Sequence, residues 1–330
     1  MTAIGIAMTG SGAAVPPIAF DNHQLSHIVE TSDEWIATRT GIRARHIAKG
    51  DRAVTDLAAG AARHALQMAE LAPEKVDLIV LATSTPDDLF GSASVVQAAI
   101  GAKQAVAFDL TAACSGFLFA VVTAAQFIRT GTYQNAVVIG ADVLSRWVDW
   151  DDRRTCVLFG DGAGAVVLQA DDRDRLLGYE LRSDGSQNDC LNLPFGGTEK
   201  SLTDGVAVSQ GTYRPVVMNG QEVYKFAVKK VPEVIEKALF RANLTPEAID
   251  WLLLHQANQR ILDAVAKRLR IDGEKVVSNL SKYGNTSAAS IPIALDEWVR
   301  SGQIQPGQIV ASSGFGAGLT WGAAIFEWGR

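Results

Sequence analysis

Three side chains in this 330-residue chain have types and settings suited to nucleophilic, acid–base and hydrogen-bonding chemistry, namely Cys114, His255 and Asn285. Cys114 sits in Asp109-Leu110-Thr111-Ala112-Ala113-Cys114-Ser115-Gly116-Phe117. An apolar strand ends there, small residues make a tight turn, and an apolar helix begins. The sulfur would then sit at a helix N-terminus, where unpaired N–H groups and the macrodipole favour a thiolate. The same residue also reads as an inert buried cysteine, and the local sequence alone leaves both readings open. His255 directly follows the apolar run Trp251 to Leu254, in Leu254-His255-Gln256-Ala257-Asn258. That is the carboxyl end of a strand, where α/β folds collect their ligands, and histidine titrates near neutral pH. A hydrogen-bonded histidine on a strand edge is the alternative. Asn285, in Tyr283-Gly284-Asn285-Thr286-Ser287-Ala288-Ala289-Ser290, precedes a second run of small residues. It is either a helix cap or an uncharged hydrogen-bond donor into a site.

The elements that must hold these residues alternate. Val76–Thr83, Ala105–Leu110 and Asn135–Gly140 read as short buried strands, and Ser115–Thr130, apolar almost all round, reads as a buried central helix. The alternation predicts an α/β fold with helices over a largely parallel sheet. The halves echo each other: Val76–Leu81 resembles Ile249–Leu254. Gly160–Ala165 and Gly316–Gly322 both read as glycine turns leading into buried strands. Such repetition suggests duplication, with chance likeness of short apolar strands as the alternative. The polar run Asp171–Arg175 marks the expected boundary, giving halves 1–172 and 173–330. Ser183–Gly220 is too long for an ordinary connection and reads as functional or mobile. Glu222–Ala242 reads as a helix that Pro232 kinks or divides.

Composition bounds the remaining possibilities. Apolar residues make up 48% and charged residues 20%, and the net charge is −6. No Lys/Arg block suggests a nucleic-acid footprint. The three cysteines, Cys114, Cys156 and Cys190, form neither a disulfide framework nor a zinc spacing. Cys156 and Cys190 are assigned to packing or loop. His23 and His27 read as surface residues, and His46 and His64 as ordinary polar positions. The start of the chain, Met1 to Ile6, shows no signal peptide, and no apolar run reaches the ~20 residues of a membrane span. A cytoplasmic, reduced protein without metal is expected. The glycines of Gly160–Gly164 fit no phosphate-binding spacing.

Taken together, the motifs resemble those of the β-ketoacyl-acyl-carrier-protein synthase III family, the initiating condensing enzymes of the thiolase superfamily. The likeness runs along essentially the whole chain. It rests on Thr31–Ile36 with Arg39–Ile42, Ala112–Phe117, Phe159–Ala165, His255–Asn258 and Gly284–Ser290. The resemblance implies a duplicated five-layered α-β-α-β-α fold, a homodimer, no cofactor, and a Cys114–His255–Asn285 triad. Elongating relatives carry histidine where this chain has Asn285, which points to the initiating class. The implied reaction is decarboxylative condensation of a short acyl-CoA primer, acetyl-CoA first among them, with malonyl-acyl carrier protein. Backbone N–H groups of Cys114 and of the Gly316-Ala317 turn would hold an oxyanion.

The resemblance further implies that Trp35 stacks on the adenine of coenzyme A and that Arg39 and Arg153 meet its phosphates. Asn219, Gly220, Ala257, Asn258 and Ile261 would line the pantetheine tunnel. Arg154 stands where some members have glycine, which alters the expected phosphate geometry. Phe90 matches a position that reaches across the dimer and limits primer length. Because carrier proteins are acidic, docking needs a local basic patch. Arg260, Lys267 and Arg268, spaced seven and eight apart on one predicted helix, would form it. A starter enzyme of polyketide or chalcone type, and a catalytically silent binding subunit, are the competing readings.

Overall fold

The computed structural model describes residues 4–329; of the N-terminal stretch read for a leader, Met1–Ala3 lie outside the described residues. In chain order the principal strands of the first half are β1 (Gly5–Ala14), β2 (Leu78–Ala82), β3 (Val106–Leu110), β4 (Asn135–Val143) and β5 (Asp161–Asp171). Those of the second half are β6 (Leu176–Ser183), β7 (Phe195–Thr203), β8 (Val206–Tyr213), β9 (Trp251–Leu254), β10 (Ile309–Gly316) and β11 (Thr320–Glu327). The principal helices are α1 (Asp33–Thr40), α2 (Ala53–Met68), α3 (Gly116–Arg129), α4 (Gly220–Ala242), α5 (Gln259–Leu269) and α6 (Ser290–Arg300).

The first sheet has the order β1-β5-β4-β2-β3, and the second β9-β10-β11-β6. In the first, β2 runs parallel to β3 and β4, while β4–β5 and β5–β1 are antiparallel. In the second, β9 is parallel to β10, while β10–β11 and β11–β6 are antiparallel. The strands β2-β4-β5-β1 and β9-β10-β11-β6 therefore share one pairing scheme. The likeness extends to side chains. The Asp77 carboxylate accepts from the Asn135 N–H at the start of β4, and the Asp250 carboxylate accepts from the Ile309 N–H at the start of β10.

Period-2 alternation along the strands sorts their side chains into layers. Leu78, Val80 and Ala82 of β2 face the same core as Leu253, Val310, Ala324 and Phe326 of the second sheet. That shared core also holds Phe117, Leu118, Val121 and Ala124 of α3 and Ile291, Ala294 and Leu295 of α6. Ile79 and Leu81 point the other way, onto the alanine-rich face of α2. Leu252, Leu254 and Ile325 point outward onto α4 and α5. The result is five layers, α-β-α-β-α, with α3 and α6 buried between the sheets. A middle helix has little solvent face, and within Gly116–Arg129 only Gln126 is exposed, which is why the segment carries so few polar residues.

Three features differ from the sequence reading. Gly162 and Gly164 belong to β5 itself rather than to a turn before it. Their role is close approach: a Cβ on Gly164 would sit 2.6 Å from the Ile293 nitrogen and 2.7 Å from the Pro292 carbonyl carbon. Secondly, α4 runs undivided through Pro232, which is buried among Val231, Val234 and Ile235. Packing in this position offsets the hydrogen bond that proline removes. Finally, the stretch 183–220 has structure of its own, the exposed hairpin β7–β8, paired from Phe195 opposite Tyr213 to Ser201 opposite Ala207, with a register shift before Thr203 meets Val206.

The close approach at Gly164 yields a stability prediction. Gly164→Ala should cost about 1–3 kcal/mol by forcing β5 away from α6. Denaturant unfolding should show a lower midpoint; an unchanged midpoint would mean that the two elements have slack.

Candidate active site

Two short 3-10 turns lead into the central helices, Ala113–Ser115 before α3 and Ser287–Ala289 before α6. They are equivalent in the two halves, and both hold a residue other than glycine at positive φ, Ala113 at 47° and Ser287 at 52°. Left-handed backbone at such residues persists only where surrounding packing fixes it. Here the turns meet: Ser287 Oγ lies 3.3 Å from Cys114 Sγ. Behind Cys114 the second sheet comes equally close, since a Cβ on Gly316 would stand 2.6 Å from the Cys114 backbone nitrogen. Glycine is required there for steric reasons.

His255 follows β9, with its backbone N–H donating to the Ser313 carbonyl at 2.8 Å. Its Nδ1 lies 2.6 Å from Ser290 Oγ, and its ring meets Phe315 edge-on at 5.5 Å between centroids. Asn285 is held by its backbone between Leu158 and Gly160. Its side-chain oxygen accepts from the Ser287 N–H at 2.9 Å. Only an oxygen satisfies that donor, so the amide's NH2 is the end left for a ligand.

Cys114, His255 and Asn285 are 8%, 2% and 7% exposed and line one cavity of about 690 Å³. Leu144, Val157, Phe159, Leu191, Val216 and Phe315 supply its apolar wall. Toward solvent it is lined by Trp35, Arg39, Arg153, Arg154, Gly220 and Arg260, with Ala257, Asn258 and Ile261 beside them. The Arg39 and Arg153 guanidinium carbons stand 4.6 and 5.2 Å from the centre of the Trp35 ring. A cavity of this form, deep and apolar with charged donors at its open end, suits a long molecule with an anionic head and a reactive tail.

Burial sets the protonation of the reactive pair. It pushes the Cys114 thiol up to about 12, with the Ser287 hydrogen bond opposing and the buried Asp142 carboxylate assisting. It pulls His255 down to about 3. The helix end beside Cys114 offers at most about 2 kcal/mol toward a thiolate. A rise from 9.0 to about 12 represents roughly 4 kcal/mol. Burial therefore opposes the thiolate that the helix end favours, and it favours the neutral imidazole.

Other residues from the sequence reading fall in different places. Asn219 caps α4, its side chain accepting from the Glu222 N–H, and it does not line the cavity. Ala317 lines the cavity, whereas Gly316 backs onto Cys114 without lining it. Phe90 stands 99% exposed, away from the cavity of the single chain. Arg260, Lys267 and Arg268 are exposed along α5; Arg260 donates to the Thr38 carbonyl, and Arg268 lies 3.9 Å from Glu233. Arg154 forms an ion pair with Asp152.

The sequence reading missed Ser287, Ser290 and Asp142. The two serines lie inside the Gly284–Ser290 motif, so their position gave a signal. Asp142 gave none. It accepts from Ser84 N–H at 2.8 Å, Thr85 Oγ at 3.0 Å and Ala288 N–H at 3.2 Å, and so ties the first sheet to the turn before α6.

Comparison with known proteins places this geometry among relatives. Residues 108–185 match the family described as 3-Oxoacyl-[acyl-carrier-protein (ACP)] synthase III. Residues 239–328 match 3-Oxoacyl-[acyl-carrier-protein (ACP)] synthase III C terminal. The chain is 67% identical over 328 residues to the beta-ketoacyl-[acyl-carrier-protein] synthase III of Acaryochloris marina, covering 99% of each. It is also similar to the crystal structure of 3-oxoacyl-[acyl-carrier-protein] synthase III from Aquifex aeolicus, with a TM-score of 0.90, 44% identity, and 98% of this chain and 100% of that one covered. The priming β-ketosynthase of a polyketide biosynthetic pathway is similar at a TM-score of 0.91, with 32% identity over 99% of this chain and 97% of its own.

The neutral thiol has a direct kinetic signature. With a pKa near 12, alkylation of Cys114 by iodoacetamide should climb about tenfold per pH unit from pH 7 to 9, without a plateau. Peptide mapping isolates the Cys114 rate from those of Cys156 and Cys190. A plateau below pH 8 would mean that a thiolate is already present at rest.

Proposed function

The chain belongs to the 3-oxoacyl-[acyl-carrier-protein] synthase III family and is a condensing acyltransferase that joins an acyl-CoA primer to malonyl-acyl carrier protein at the start of fatty-acid synthesis, and we propose that Cys114, His255 and Asn285 carry the reaction. The observation that supports this assignment is that the three side chains, drawn from both halves of the chain, line the inner end of one cavity. We divide the halves at 172/173, between β5 and β6.

In the first step Cys114 Sγ attacks the thioester carbonyl. The thioester of coenzyme A breaks, acyl-Cys114 forms, and the thiol proton ends on the departing coenzyme A sulfur. The exchange is proton-neutral overall, so a resting thiolate is not needed. The backbone N–H groups of Cys114 and of the Gly316-Ala317 turn are the proposed donors to the tetrahedral oxyanion. The acyl-enzyme divides one hard step into two. In the second step malonyl-acyl carrier protein loses carbon dioxide, leaving an enolate. The His255 imidazole and the Asn285 amide donate hydrogen bonds to its oxygen, each worth about 3–4 kcal/mol of barrier. The carbanion attacks acyl-Cys114, and the released Cys114 sulfur takes one proton from solvent. A bulky Phe90 reaching in from a second chain would favour acetyl or another short primer.

Trp35, Arg39 and Arg153 form the proposed head-group clamp for coenzyme A, with Gly220, Ala257, Asn258 and Ile261 along the pantetheine arm. Asn219 contributes by fixing the start of α4 beside Gly220. Arg260, Lys267 and Arg268 supply a basic face for the acidic carrier protein, in a chain whose net charge is −6. The protein acts without a cofactor in this scheme, and no helix among the described residues is long and apolar enough to cross a membrane. We assign it to the cytoplasm.

A homodimer is proposed from the first sheet. Strand β3 is an edge strand, and Leu89 and Phe90 beside it are 82% and 99% exposed. An uncovered edge of this kind invites a partner strand. A second copy would cover it and bring Phe90 toward its partner's primer pocket.

Three measurements test these assignments. His255→Ala and Asn285→Ala should each lower malonyl-carrier-protein decarboxylation about 10²–10³-fold, while Cys114→Ala stays within about tenfold of wild type. The opposite order would overturn the roles. Reversing charge at Lys267 and Arg268, which do not line the cavity, should raise KM for the carrier-protein substrate and leave acylation by acyl-CoA unchanged. Equal use of malonyl-CoA would favour the polyketide-type reading instead. Sedimentation should give twice the 35.2 kDa of one chain; a monomer at micromolar concentration would remove the dimer.

A further inference from the structure

The hydrogen bonds around His255 decide which of its ring nitrogens carries the proton. Nδ1 faces Ser290 Oγ at 2.6 Å, so one of the pair must donate. The serine oxygen already receives a donor, the Gln256 backbone N–H at 3.3 Å. That N–H is held in place from two sides. The Gln256 side chain donates to the Leu254 and Val277 carbonyls, at 2.7 and 3.2 Å, and accepts from the Asn279 N–H at 3.1 Å. Among the described residues, Ser290 Oγ has no other acceptor within hydrogen-bond distance for its own proton. If Nδ1 donated instead, the buried hydroxyl would accept twice and leave its proton unpaired, an expensive arrangement in a dry site. The arrangement that satisfies every group has the Ser290 hydroxyl donating to Nδ1.

We propose that Ser290 is a positioning residue that fixes His255 as the Nε2–H tautomer, so that the imidazole meets the substrate as a hydrogen-bond donor and not as a base. This inference rests on the assignment of His255 to the decarboxylation step and sharpens it. A neutral imidazole has one donor and one acceptor. With Nδ1 committed to accepting from Ser290, the donor must be Nε2. Phe315 packs edge-on against the ring and Ser313 anchors the backbone, so the ring does not turn to exchange the two nitrogens. Burial agrees, since it keeps the ring neutral across the working pH range. Ser290 is itself 2% exposed and opens α6, so the first turn of a central helix sets the tautomer. It also explains why a neutral amide can serve beside the imidazole: His255 and Asn285 would then offer the same thing, an uncharged N–H.

The test is a ring-nitrogen spectrum of ¹⁵N-histidine-labelled protein at pH 7, with His255 identified as the signal missing from His255→Ala. The expected spectrum has an unprotonated Nδ1 and a protonated Nε2. A protonated Nδ1 in wild type overturns the proposal without recourse to any Ser290 variant. In Ser290→Ala the single tautomer should give way to a mixture, and decarboxylation should fall about tenfold, the worth of one neutral hydrogen bond. Ser290→Thr keeps the hydroxyl and should restore both. If Ser290→Ala retains a pure Nε2–H ring and full decarboxylation, the serine does not set the tautomer. Acylation of Cys114 by acetyl-CoA, followed in parallel, should stay within about twofold of wild type in both Ser290 variants. Loss of acylation in wild type would instead strike the triad assignment, so the two failures are distinguishable.

Discussion

The contact between the two 3-10 turns at the heads of the central helices is the constraint on which the site depends. Ala113–Ser115 comes from the first half and Ser287–Ala289 from the second, and they touch through Ser287 Oγ and Cys114 Sγ. Each turn holds a left-handed residue in place by packing. Neither half alone could bury the sulfur or bring His255 and Asn285 to it. The five-layered stack, with α3 and α6 enclosed between two sheets, is what presses the two turns together. Asp142 reinforces the join by reaching from β4 to the Ala288 N–H.

Burial at that join has a chemical consequence. Exclusion of water raises the thiol and lowers the imidazole, so burial disfavours charge on either member of the pair before substrate arrives. A preorganised set of uncharged donors suits an enolate that exists only briefly, because charge develops where the donors already point. The charged residues of the cavity lie instead at its open end, where Arg39 and Arg153 are exposed.

Much of this was legible in the sequence, and the reasons differ by residue. Cys114, His255 and Asn285 each follow a strand end or glycine turn, and local pattern carries that information. The α/β layering was visible because segments such as Leu78–Ala82, wholly apolar, and Gly116–Arg129, largely so, have little or no exposed face to accommodate polar residues. The glycines of β5 misled, because a glycine that permits close helix approach looks the same in sequence as one that makes a turn. The burial that opposes the thiolate was not legible, because a helix end is a local feature, whereas the close cover over Cys114 comes from residues some 200 positions away, Gly316 among them. Asp142 and Ser290 acquire meaning only through partners distant in sequence. Phe90 is 99% exposed, and its expected role beside a primer pocket rests on the proposed dimer.

The central claim is that Cys114 is the atom on which the primer waits. Wild-type protein incubated with acetyl-CoA, without malonyl substrate, should gain the mass of one acetyl group per chain, and fragmentation should place it on the peptide containing Cys114. Cys114→Ala should gain none. An acetyl group on Cys156 or Cys190, or an adduct that survives in Cys114→Ala, would contradict the account.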